Sequence, residues 1–149
     1  MLDTSPGCAS IGAPSGLGVL GGLMHHLERI LVVDDQHSLR AVLALALGSL
    51  PGVTVHSAGD GEAALAAIDS QAPDLLVLDA VMPVLDGPQT LAALRRQPAT
   101  AELPVVFLTA SAEALPPAVT TDPHLLGIIP KPFDAMQIGR RIQQLWDAR

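Results

Sequence analysis

Three aspartates, a threonine and a lysine stand at the ends of short apolar runs, and their residue types suit one kind of chemistry. Asp34 and Asp35 follow RILVV, Asp79 follows LLVL, Thr109 ends VVFLT, and Lys131 stands two residues beyond Ile129. If those runs are parallel strands of one sheet, three carboxylates, a hydroxyl and an ammonium gather beyond its carboxyl end, where open α/β sheets place their functional crevice. Carboxylates a few ångströms apart repel by about 4 kcal/mol per pair at an effective dielectric of about 20, so the cluster needs a cation or must bind protons. Oxygen ligands from one or two carboxylates, with waters and substrate phosphate completing an octahedron, describe Mg2+ better than a soft transition metal. With that ion and Lys131 balancing the three carboxylates, an incoming phosphoryl group meets positive partners.

A carboxylate can attack phosphorus and form an aspartyl phosphate. Asp79 is the candidate, because it ends an apolar run and is followed by AVMPVLDG, a proline-containing loop that keeps it at the crevice mouth. Phosphoryl transfer asks the protein for positioning and for neutralisation of the equatorial oxygens, which Mg2+, the Thr109 hydroxyl and Lys131 would supply. Pro130 and Pro132 restrict the chain around Lys131, and a cis peptide before Pro132 suits such a turn. Asp34 and Asp35 have a blander reading as caps of the first helix, and Asp86-Gly87 is read as a turn and cap rather than a metal site.

The elements that must position these groups follow from the patterning. From Glu28 the chain alternates β-branched runs with amphipathic stretches, which is the mark of a βαβ series. The expected strands are 29–33, 53–57, 75–78, 105–109 and 126–129; the first, third and fourth are continuously apolar, as strands covered on both faces must be. The expected helices are 38–50, 60–71, 87–96, 112–121 and 134–146. Pro51-Gly52 ends the first helix, Asp60 can cap the second, and Pro98 follows the third. Pro116 and Pro117 are tolerable only near a helix start, so the fourth helix should be short or displaced. Right-handed crossovers then make the sheet doubly wound.

Composition narrows the function. The 149 residues suit one compact domain, and 15 acidic against 8 basic residues give a formal charge of -7, which would repel a nucleic-acid backbone. Residues 1–26 are crowded with Gly, Ser, Ala and Pro and read as a flexible tail, with the domain over 27–149. Their apolar part, 11–24, is too short and too interrupted to span a bilayer, and no Lys or Arg precedes it as in a signal peptide. Cys8, the lone cysteine, cannot form an internal disulfide and reads as an idle thiol in a reducing, cytoplasmic setting. Gly16-Leu17-Gly18-Val19-Leu20-Gly21 matches a dinucleotide-binding pattern but lacks a preceding strand, and the adjacent His25 and His26 read as solvated.

Four motifs together carry a resemblance: VVDD at 32–35, LDAVMPVLDG at 78–87, LTAS at 108–111 and PKPF at 130–133. In this order, with separations of 44, 30 and 22 residues from Asp35 through Asp79 and Thr109 to Lys131, the chain from about 28 to 146 resembles the response regulator receiver domains of two-component systems, of which the chemotaxis regulators are an example. The resemblance implies a flavodoxin-like (βα)5 domain with a five-stranded parallel sheet in the order 2-1-3-4-5. It implies that Asp34, Asp35 and Asp79 hold Mg2+ with the backbone carbonyl of Val81, that Asp79 is the phosphoacceptor, that Thr109 is the switch hydroxyl and that Lys131 grips the phosphate. It implies further a sensor histidine kinase or histidine phosphotransfer protein as donor, and a downstream protein target met through the surface around the fourth and fifth helices. A phosphorylation-linked homodimer is among the assemblies such domains form. The chain would then be a stand-alone regulator or part of a larger one, acting by changing shape and turning over only its own phosphoryl group.

Two positions depart from that pattern. The aromatic that many receivers carry three residues before the lysine is Ile128 here, and Pro116-Pro117 interrupt a region that relatives use for output. Two other classes fit the residues less well. An aspartate-nucleophile phosphatase wants a second acid at position 81, which is Val81, and a flavin module wants a hydroxyl-rich phosphate loop where Asp34-Asp35 stand.

Overall fold

The structure is a computed structural model and describes residues 25–149. The apolar runs form five strands, β1 (Arg29–Val33), β2 (Thr54–Ala58), β3 (Leu75–Asp79), β4 (Val105–Thr109) and β5 (Leu125–Pro130). All neighbouring pairs are parallel, and the sheet order is β2-β1-β3-β4-β5. This is the doubly wound, flavodoxin-like arrangement expected. β3 and β4 are buried at every residue, while β2 and β5 are the half-covered edges, which explains why the interior runs lack polar alternation.

The two-residue period of the strands sorts their side chains into two cores. Leu31, Val33, Leu76, Leu78, Val105 and Phe107 belong to one face. Ile30, Val32, Leu75, Val77, Val106 and Leu108 belong to the other. The first core is closed by α2 (Gly61–Gln71), α3 (Gly87–Arg95) and α4 (Pro117–Thr120) through Ala64, Ile68, Leu91, Leu94 and Val119. The second is closed by α1 (His37–Gly48) and α5 (Ile138–Asp147) through Leu43, Leu47, Ile138, Ile142 and Trp146.

Helix starts show local chemistry at work. Asp60 caps α2 by accepting from the Ala63 N–H at 2.7 Å, and Asp86 forms a reciprocal capping box with Gln89 at 2.9 Å in each direction. The fourth helical region differs from a continuous 112–121 helix: a 3-10 turn, Ala112–Ala114, precedes the four-residue α4, and extended Pro116 separates the two. Pro117 has no N–H to donate back into a preceding turn, so the helix can only start there. The last helix begins at Ile138 rather than 134, because the Asp134 carboxylate accepts the Met136 N–H at 2.8 Å and holds a turn instead.

Cys8, the glycine-rich motif at 16–21 and most of the expected tail lie outside the described residues. His25 is described and is exposed. Its carbonyl accepts the Trp146 indole N–H at 3.2 Å, and its ring lies 3.4 Å from the Asp74 carboxylate. No helix among the described residues is long and apolar enough to cross a membrane.

Candidate functional site

Parallel β1, β3 and β4 end together, so the residues after them share one rim of the sheet. Asp34 follows β1, Asp79 closes β3 and Thr109 closes β4. Lys131 follows β5 and is tied to the same rim by its own N–H, which donates to the Thr109 carbonyl at 2.8 Å. The Lys131–Pro132 peptide is cis, as the sequence suggested.

Asp34, Asp35 and Asp79 bring one carboxylate oxygen each within 4.8 Å of one another. Asp34 is fully buried and Asp79 is 4% exposed, while Asp35 faces solvent. The Lys131 ammonium sits 3.0 Å from Asp34 Oδ2 and 3.0 Å from Asp79 Oδ1. One cation therefore serves two buried anions, and the titration behaviour follows. Burial pushes the Asp79 carboxyl above the usual aspartate range and the Asp34 charge pushes it further, against the opposing pull of Lys131. Burial would lower Lys131, but its hydrogen bonds to Asp34 and Asp79 outweigh this and hold the ammonium above its ordinary value.

The site residues are held by backbone as well as charge. Asp34 does not cap α1: its Oδ1 accepts the Gln36 N–H at 2.8 Å, and Gln36, the N-cap residue, makes no side-chain cap. Thr109 is buried, and its hydroxyl donates to the Ser111 carbonyl at 3.2 Å and accepts the Ser111 N–H at 3.1 Å. Val81 lies in the loop after Asp79 and is 75% exposed, and its N–H points at Asp79 Oδ1 from 3.4 Å. All six expected site residues thus lie in this one region.

Two further residues shape the site, and sequence reasoning did not single out their part. A Cβ on Gly87 would lie 2.6 Å from the Asp79 carbonyl oxygen and 2.8 Å from Ala80 Cα, so only glycine lets α3 start against the end of β3. The Asp-Gly pair marked a turn, but the closeness of that approach is a tertiary matter. Arg40 donates from Nη1 to the Asp34 carbonyl at 2.7 Å. Its signal was its isolation, since it is the one Lys, Arg, Asp or Glu side chain within α1.

Such a donor set fits one class of ion. Three carboxylates against one ammonium leave two negative charges, all on hard oxygen atoms with no imidazole or thiolate among the clustered ligands. A small divalent cation that prefers oxygen, such as Mg2+, matches both the charge and the chemistry.

Comparison with known proteins bears on the whole arrangement. The chain is 36% identical over 118 residues to the probable transcriptional regulator ycf27 of Porphyridium aerugineum, covering 79% of this chain and 48% of that protein. It is 39% identical over 117 residues to the response regulator MprA of Mycobacterium ulcerans, covering 78% and 49%. The chain spans about half the length of these regulators. Among solved structures, the chemotaxis response regulator CheY4 of Vibrio cholerae superposes with a TM-score of 0.70 at 26% identity, covering 80% of this chain and 99% of that one. The profile of the response regulator receiver domain matches residues 30–143, which takes in every strand but the first residue of β1 and all the clustered groups, so this chain belongs to the response regulator receiver family of two-component signalling.

Proposed function

We propose that this receiver domain accepts a phosphoryl group on Asp79 from a sensor histidine kinase or a histidine phosphotransfer protein, in a reaction that needs Mg2+ or Mn2+. The observation that carries the proposal is the position of the Asp79 carboxylate, at the carboxyl end of β3, within 4.8 Å of the Asp34 and Asp35 ligand atoms and 3.0 Å from Lys131. Asp34, Asp35, Asp79 and the Val81 carbonyl would hold the ion, which supplies charge neutralisation for the phosphoryl oxygens. A carboxylate oxygen of Asp79 attacks phosphorus as the bond to the donor imidazole breaks, and the imidazole leaves with the electron pair. Lys131 turns from Asp79 to a phosphoryl oxygen while keeping Asp34, which its two-sided placement already allows. Water later cleaves the acyl phosphate, so any turnover is directed at the domain itself.

The signal is read as a change of shape. To reach a phosphoryl oxygen, the Thr109 hydroxyl must give up its two contacts with Ser111. That releases the start of the segment 109–122, which is built from a 3-10 turn with no buried residue and a four-residue α4 that buries only Val119, so little packing resists its rearrangement. Ile128, partly buried against the core that also holds Val119, has no ring to swing, so the backbone carries the change. A downstream protein target, or a second copy joined on phosphorylation, would read that surface. The charge of -7 argues against direct contact with nucleic acid, and the reaction belongs in the cytoplasm with its donors.

Intact mass spectrometry with acetyl phosphate tests the acceptor. One phosphoryl mass should appear with Mg2+ and not with chelator; equal labelling in chelator sinks the metal requirement. Hydrogen exchange with beryllofluoride and Mg2+ tests the route, and protection changes that leave 109–122 untouched would overturn it.

A further inference from the structure

We infer that Arg40 is a positioning residue for the metal-binding aspartates, acting through the peptide that joins Asp34 to Asp35. This inference rests on the reading of those aspartates as metal ligands given above.

Asp34 is anchored at each of its polar atoms. Its N–H donates to the Ala58 carbonyl at 3.2 Å, its Oδ1 accepts from Gln36 at 2.8 Å, and its Oδ2 accepts from Lys131 at 3.0 Å. Its carbonyl accepts from Arg40 Nη1 at 2.7 Å, the shortest of the four. Asp35 is different. It faces solvent, and its carboxylate joins the cluster by geometry alone. The orientation of Asp35 therefore depends on the plane of the peptide before it, and the carbonyl of that peptide is the one that Arg40 holds. Rotation of that plane would swing the Asp35 carboxylate away from the other two.

Arg40 is itself braced. Its Nη2 lies 3.2 Å from His37 Nδ1, and its guanidinium lies against Gly59, where a Cβ would come within 3.1 Å of Nη1. Gly59 follows Ala58, the residue that takes the Asp34 N–H, so the end of β2 holds the peptide before Asp34 directly and the Asp34–Asp35 peptide through Arg40. A planar guanidinium can meet a carbonyl and a ring nitrogen together, which an ammonium cannot do in the same geometry.

The position also carries a positive charge close to a cation site, and this gives the inference its test. If charge were what mattered, removing Arg40 would tighten cation binding. If grip is what matters, removing it loosens binding, by about tenfold for loss of a group that orients a ligand. Binding of Mn2+ to the full chain, read from the electron paramagnetic resonance signal of the free ion, reports this without any phosphoryl transfer. Arg40→Ala should raise the Mn2+ dissociation constant about tenfold, and Arg40→Lys should recover part of the loss. Gly59→Ala, which touches neither the aspartates nor Lys131, should raise it by a smaller factor, and that factor should vanish in the Arg40→Ala background. Phosphorylation by acetyl phosphate should need proportionally more Mg2+ in Arg40→Ala while reaching the wild-type rate at saturation. Thermal melts in chelator serve as the control for folding. Unchanged or tighter Mn2+ binding in a folded Arg40→Ala protein overturns the inference. Failure of the wild-type chain to bind Mn2+ would instead overturn the reading of the aspartates themselves.

Discussion

At the carboxyl end of the sheet, Lys131 divides one ammonium between the buried carboxylates of Asp34 and Asp79, with Asp35 close by. At the amino end, Arg95 meets one aspartate, Asp122, through Nε at 2.9 Å and Nη2 at 3.1 Å, and also donates to the carbonyls of Thr100 and Leu103 at 2.8 and 2.9 Å. Asp122 accepts the His124 N–H at 2.9 Å as well, so this cluster is balanced in charge and closely satisfied in hydrogen bonds. Burial tends to raise the Asp122 carboxyl, yet the Arg95 hydrogen bonds and the His124 N–H overcome it and hold the group below the usual aspartate range. Asp79, in the unbalanced cluster, moves the other way. Carboxylates and cations balance at one end of the sheet and, at the other, leave two negative charges in excess.

The sharpest way to break this comparison is Asp79→Asn. Phosphorylation by acetyl phosphate should be lost altogether, read by intact mass, while the melting temperature in chelator should rise, because removing one of the clustered anions relieves repulsion that Lys131 cannot cancel alone. A destabilised Asp79→Asn protein would mean that the apo cluster is already balanced.

Arg95→Ala should do the reverse. Deleting one partner of a largely buried pair leaves Asp122 without its counter-ion and two carbonyls without donors, at a cost of about 3 kcal/mol in urea unfolding. Arg95→Lys should recover only part of it, since an ammonium cannot reproduce the bidentate contact. The folded fraction of either variant should still take the phosphoryl group at the wild-type rate; a pocket defect would show that the two ends are coupled.

Much of this architecture is legible in the sequence. β1 and β4 fall at the residues expected, since unbroken β-branched runs have no other way to be buried, and the groups following the strands share one rim because parallel strands end together. The features that escaped depend on distant partners. Nothing near Arg95 in the chain announces Asp122, 27 residues on, and nothing near His25 announces Trp146. The start of α5 moved because the Asp134 side chain prefers a turn to the helix, a choice between two local hydrogen bonds that periodicity does not register. The fourth helical region is short because of the two prolines, as expected, but the 3-10 turn before it is an exposed local turn, closed by the Ser111 and Ala112 carbonyls, that periodicity does not register.

The two clusters also predict a pH profile. A carboxyl raised by folding binds its proton more tightly in the native state, so in chelator stability should climb as pH falls from neutral through the raised Asp79 value toward the ordinary aspartate value of about 3.9. Asp122 is lowered by folding, so its contribution is present above about 3.9 and is lost only as pH falls further, through its native value. Urea midpoints against pH should pass through an acid maximum, and the rising limb should disappear in Asp79→Asn. Persistence of that limb in the variant would assign it to another group.

The smallest expected effect concerns the loop that carries Asp79 into α3. Val84 adopts a φ of 70°, and Leu85 N–H donates to the Pro83 carbonyl at 2.8 Å across it, which closes a three-residue turn. Val84 is 92% exposed, so packing of its own side chain does not explain the conformation. The constraint comes from its neighbour, because Leu85 lies against the start of α2, where a Cβ on Gly61 would come within 2.7 Å of it. A β-branched residue in the left-handed region stores about 1 to 2 kcal/mol of backbone strain. Val84→Gly removes that strain but gives the unfolded chain more freedom, so the net gain should be about 0.5 kcal/mol in urea unfolding. Val84→Ala separates the two contributions. Alanine keeps the Cβ that makes the conformation costly and loses no buried contact, so it should leave stability near wild type while glycine raises it. Equal stability of the two variants would mean that the turn is relaxed, and that whatever strain this end of the sheet carries lies in its charges alone.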